Sequence, residues 1–111
     1  MLNQIVMVGR LVRDVELKEG ENGSKFANLS LAIPRSFKNA EGEYDTDFVN
    51  CTAFDNIATN TAEYCRKGDI VGVKGRIQSK IIEKEDKKES VMEIIAEKVT
   101  FLSSKPREEE D

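Results

Sequence analysis

The stretch DFVNCTAF, Asp47–Phe54, decides the fold, because one period runs through it and another begins where it ends. In a strand, side chains alternate between faces, which puts Phe48, Asn50, Thr52 and Phe54 on one side and Val49, Cys51 and Ala53 on the other. The small, uncharged set suits a packed interior and leaves the aromatics outside, with an amide and a hydroxyl between them. The plainer alternative makes Phe48 and Phe54 the core and turns Val49, Cys51 and Ala53 toward a subunit or second layer. Asn50 tells against it, since a buried amide needs several partners and an exposed one needs none. After Phe54 the apolar period lengthens to that of a helix. Asn56 can cap this helix, Ile57, Ala58, Thr61, Ala62 and Cys65 share one side of it, and Gly68 stands where a left-handed residue commonly ends one.

Period two returns in DIVGVKGRIQSKII, from Asp69. Val71, Val73, Gly75, Ile77 and Ile81 form an apolar face, and Lys74, Arg76, Gln78, Lys80 and Ile82 form a largely basic one. A charged connection, EKEDKKE, then leads to a last strand near Ser90–Leu102. Upstream, NQIVMVGRLV is a β-rich segment in which Gly9 marks a bulge or bend. The Asn22-Gly23 pair signals a turn into FANLSLAI, whose Ala27, Leu29, Leu31 and Ile33 face one way until Pro34 ends the strand or places it at an edge. From Arg35 to Thr46 the text is polar, an extended hairpin connection. The order is three strands, a helix and two strands: an all-β chain with one helix, expected to form a five-stranded OB barrel over residues 1–103. That fold takes oligonucleotides or oligosaccharides on the face of its second and third strands. Residues 104–111 read as a short unfolded acidic tail.

A chain of 111 residues with 34% charged side chains fits one ordinary globular domain. No apolar run reaches the ~18 residues of a membrane span, and MLNQIVMVGR lacks the basic start of a signal peptide, so a cytoplasmic location is expected. Cys51 and Cys65 are expected as buried free thiols. The chain has no histidine, which rules out Ser-His and Cys-His catalysis, and no metal or other cofactor is expected. Asp45 and Asp47 are two acids beside a turn with nothing else to complete a metal site. The net charge of −4 argues against a nucleic-acid partner, yet without the four acids Glu108–Asp111 the chain carries 17 acids against 17 Lys and Arg. A neutral body can still present a basic stripe.

A binder of single-stranded nucleic acid interleaves exposed rings, for unstacked bases, with cations for phosphates. Phe37, Phe48 and Phe54 are the candidate stacking rings; Arg35, Lys38, Lys74, Arg76 and Lys80 are candidate phosphate contacts, with Asn50, Thr52 and Gln78 as polar contacts. The plainer reading of the ladder Lys74–Lys80 is a solvated strand face, and of Glu83–Glu89 a solubilising loop.

The segments NQIVMVGRL, FANLSLAI, RSFKNAEGEYDTDFVNCTAF and AEYCRKGDIVGVKGRIQSK, in this order and spacing, resemble the bacterial single-stranded DNA-binding protein family over about residues 1–103. The resemblance implies an OB fold, a homotetramer in most members, and sequence-independent wrapping of single-stranded DNA in replication, recombination and repair, without enzymatic activity. It places the stacking roles on Phe37, Phe48 and Phe54 and adds Lys18 and Lys67 as cationic contacts beside Arg76 and Lys80. Two positions depart from the family's pattern. Ile82 stands where many members carry another stacking aromatic, leaving only an apolar groove contact, and Asn50 stands where a basic residue is frequent. Both imply weaker binding per subunit. The family's long linker and acidic tip with proline and phenylalanine, which recruits partner enzymes, is matched only by KPREEED. The expectation is a short form, like accessory paralogues or phage-encoded versions, that coats DNA without recruiting those partners. Two rival readings keep the OB fold: a protein-interaction module like primosome-type dimers, and a small metal-dependent nuclease, for which no acidic cluster can be assembled.

Overall fold

The computed structural model describes residues 1–104, so the acidic stretch expected as a tail lies almost wholly outside the described residues. The elements run β1 (Ile5–Leu11), β2 (Leu17–Glu19), β3 (Lys25–Lys38), β4 (Tyr44–Phe54), α1 (Asp55–Tyr64), β5 (Ile70–Lys84) and β6 (Lys87–Ser103). Five strands close a barrel. β1 pairs antiparallel with β5, β5 with β6, and β3 with β4; β6 meets β4 in parallel at Ile95 and Thr52; β3 returns to β1 at Ala32–Arg10 and Leu31–Leu11. This is the OB barrel expected, with β2 added as a three-residue edge strand beside β3.

The inward positions are those the alternation assigns. Leu29, Leu31, Ala53 and Val71 are wholly buried, with Leu11, Cys51 and Val73 nearly so, and Ala58 and Thr61 of α1 cover one end. Both cysteines are buried free thiols, and burial pushes the Cys51 thiol up to about 11. The feature at Gly9 is a close crossing and not a bulge, since the β1–β5 register is unbroken from Ile5 to Arg10. A Cβ on Gly9 would stand 2.8 Å from Ile33 Cγ1 and 3.0 Å from the Ala32 carbonyl oxygen, so only glycine lets β1 pass this close to β3.

Several local expectations need correction. Pro34 does not end its strand but holds the edge position that was the other alternative: β3 has left β1 by then, pairs only with β4, and runs on to Lys38 through a register shift. Asn56 makes no cap; the N-cap is Phe54, without a side-chain bond, and Asp55 turns the chain with φ 55°. Gly68 is not the helix terminator, because α1 stops at Tyr64; Gly68 belongs to the following turn, where Asp69 Oδ2 accepts the Arg66 N–H at 2.8 Å. The charged connection Glu83–Glu89 is mostly paired strand, with Lys84 opposite Lys87 and only Glu85 and Asp86, at φ 48° and 68°, making the turn. The last strand accordingly begins at Lys87. Ile81, assigned to the apolar face, is 70% exposed, because β5 and β6 leave the barrel there as a two-stranded arm.

Candidate nucleic-acid interface

Phe48 and Phe54 project from β4 at 73% and 42% exposure, while Cys51 and Ala53 between them are buried. Cross-strand partners point to the same side of a sheet, so the register extends this outward row over its neighbours. Asn28 of β3, Thr52 of β4, Ile95 of β6 and Arg76 of β5 are successive partners in one line. The aromatic row of β4 and the row Arg76, Gln78, Lys80 and Ile82 of β5 therefore lie on one side of the sheet, joined across Ile95, which is itself covered. Between the rings, the Asn50 amide oxygen accepts from Ser30 Oγ at 2.8 Å, and Thr52 Oγ1 donates to Asn28 Oδ1 at 3.3 Å. This polar strip is uncharged and held in place.

The cations expected at the site fall into three settings. Lys18 and Lys67 line one cleft of about 480 Å³ together with Arg13, Asp14, Asn28 and Ser30, directly beside the polar strip. Lys80, Lys38 and Lys74 are exposed, with Lys74 opposite Val6 and Lys98, on the β1 side of the surface. Arg35 and Arg76 are already paired. Arg35 Nη2 donates to Asp47 at 2.8 Å, with Asp45 at 3.7 Å, and Arg76 Nη1 donates to Glu97 at 3.2 Å. The bond from Arg35 holds the Asp47 carboxyl below the usual carboxylate range. Gln78 accepts from Arg76 at 2.9 Å, Glu93 stands opposite Gln78, and Glu89 opposite half-buried Ile82. The arm thus mixes both signs. Phe37 is 64% exposed near the tip of the β3–β4 hairpin, within the register shift between Pro34 and Lys38.

Sequence reasoning missed two rings of this surface. Phe26 lies directly opposite Phe54, and Tyr44 belongs to the outward row of β4. The alternation of FANLSLAI already sets Phe26 against Ala27 and Leu29, and starting the β4 count at Tyr44 instead of Asp47 includes the other. Arg13, in the cleft with Lys18 and Lys67, carried no local signal.

The fold and this face define the class: a small OB barrel with rings and hydrogen-bonding groups displayed across its β3–β4 sheet, where OB folds take extended ligands. The chain belongs to the Single-strand binding protein family, whose model matches residues 2–102. It is 48% identical to Single-stranded DNA-binding protein B of Bacillus subtilis (strain 168), over 97% of this chain and 96% of that protein. It is 44% identical to Single-stranded DNA-binding protein of Oceanobacillus iheyensis, over 95% of this chain and 66% of that longer protein. Among solved structures, a Plasmodium falciparum SSB complex with ssDNA superposes with a TM-score of 0.79 at 28% identity, covering 93% of this chain and 96% of that one.

Proposed function

We propose that the chain binds single-stranded DNA without sequence preference and protects it during replication, recombination and repair, acting by binding and not by catalysis. The observation that carries this reading is the outward row of β4, in which Phe48 and Phe54 flank an uncharged hydrogen-bonding strip. Bases stack on Phe48, Phe54 and Phe37; Asn50 and Thr52 meet the sugar-phosphate chain; and Lys18, Lys67, Lys80 and Lys38 displace counterions. Arg35 and Arg76 reach phosphate only by exchanging Asp47 and Glu97 for it, so their contribution is smaller than that of the exposed lysines. The names of the relatives, and the DNA complex among similar structures, support the same ligand.

The acting unit in this reading is a homo-oligomer, a tetramer as in most of the family. β1 supports it: Val6 and Val8 are 71% and 52% exposed, with Leu102 at 50%, and β1 pairs with β3 only at Arg10 and Leu11. An open strand edge beside exposed valines favours a second copy. None of the described helices is long and apolar enough to cross a membrane, consistent with a role in the cytoplasm or nucleoid.

The test is titration of fluorescent oligo-dT at low and moderate salt. Affinity is expected to fall by ~0.7 log unit per log unit of salt for each phosphate neutralised. Phe48→Ala or Phe54→Ala is expected to cost about 1–3 kcal/mol with the fold intact. Unchanged affinity in both variants would remove the assignment.

A further inference from the structure

The outward row of β4 does not end at Phe48. Alternation carries it through Thr46 to Tyr44, whose ring is 57% exposed. Lys38, the direct partner of Tyr44 in the β3–β4 register, holds its Nζ 5.8 Å from the ring centroid. A π face and an ammonium group side by side are the two handles that single-stranded DNA presents partners for, base and phosphate. Four residues along a strand, Tyr44 stands about 13 Å from Phe48, on the same side.

The hairpin does not need this pair to hold its shape. Its turn is closed by Asn39, whose N–H donates to the Glu43 carbonyl at 2.7 Å and whose side-chain oxygen accepts the Glu41 and Glu43 N–H groups at 2.8 and 2.9 Å. Arg35, Asp45 and Asp47 tie the two strands together on the opposite face. Tyr44 is thus displayed on a ribbon fastened by other groups.

We propose that Tyr44 is a further base-stacking residue and that, with Lys38, it extends the single-stranded DNA track beyond Phe48 toward the hairpin tip. The inference rests on the DNA-binding reading of the β3–β4 face. In the free chain the ammonium covers the ring by a cation–π contact, which is weak at an exposed site. An arriving base takes the ring face, and the lysine moves to the adjoining phosphate.

The composition provides the assay. The chain has no tryptophan and two tyrosines, and the second, Tyr64, is on α1 and 69% exposed, so Tyr64→Phe leaves Tyr44 as the sole tyrosine emitter without disturbing the core. Oligo-dT is expected to quench that emission along the same curve as the anisotropy of a labelled oligonucleotide. Tyr44→Ala is expected to weaken binding roughly 5- to 100-fold, and Tyr44→Phe to retain it, as stacking and not the hydroxyl would require. Binding by Tyr64→Phe with unchanged emission, or full affinity in Tyr44→Ala, overturns the inference while leaving the DNA-binding reading standing. If the wild-type chain binds no oligo-dT, both fall together.

Discussion

Phe48 stands in water because the positions on either side of it in β4 belong to the other face, and Cys51 and Ala53 on that face are buried in the barrel. The same alternation sets the chemistry of Cys51. Its thiol is held neutral by burial, at about 11 against an ordinary 9.0. The unfolded chain ionises first as pH rises, so the unfolded state binds fewer protons than the folded state between these values and stability falls with pH. Unfolding by urea at pH 9 and 11 is expected to show a loss about 2 kcal/mol larger in the wild type than in Cys51→Ala, which keeps the contribution of Cys65, a thiol that burial also raises. Equal losses in both would place the thiol in contact with water. Asp47, with its carboxyl held below the usual range by Arg35, acts at the other extreme: the pair is intact above the ordinary aspartate pKa and is lost as acid protonates the carboxyl.

At the level of elements, β5 and β6 change register between Lys74 and Gly75, beside the point where β6 meets β4 to close the barrel. There a Cβ on Gly75 would collide with the Ile95 carbonyl oxygen. Ile95 is also the residue through which β6 meets β4, so the closure and the joining of the two outer rows depend on the same contact. Gly75→Ala is expected to cost about 1–3 kcal/mol of stability, seen as a lower thermal midpoint, and to weaken oligonucleotide binding as Arg76 shifts away from Thr52. A variant as stable as the wild type would show that the strands part there at little cost. The outer part of the arm, Glu83–Glu89, reads as a loop from sequence because every residue in it is charged. A two-stranded ribbon outside the core has no buried face, so no apolar alternation marks it.

For the whole molecule, the exposed valines of β1 lie across β5 and β6 from the aromatic row. The proposed assembly through them would leave the rings of each copy open to DNA. Light scattering is expected to show an oligomer for the wild type and a monomer for the double variant Val6→Lys, Val8→Lys, with each copy's fold retained because both side chains are exposed. A wild-type chain that scatters as a monomer would end the oligomer proposal. If the proposed phenylalanines stack bases with no tryptophan among them, each copy binds weakly, and several linked sites would raise overall affinity most usefully.

The local sequence by itself determined which side chains of the barrel-forming stretches face in or out, and that one helix separates the third long strand from the fourth. Those features follow from periods of two and 3.6, which act within a few residues. Tertiary structure alone decided that Arg76 lies in line with Thr52 through Ile95, that Phe26 faces Phe54, that Lys18 and Lys67 share a cleft, and that Arg35 is captured by Asp47. Each of these joins strands through a register set by closing the barrel, and that closure is a long-range constraint that no short stretch of residues encodes.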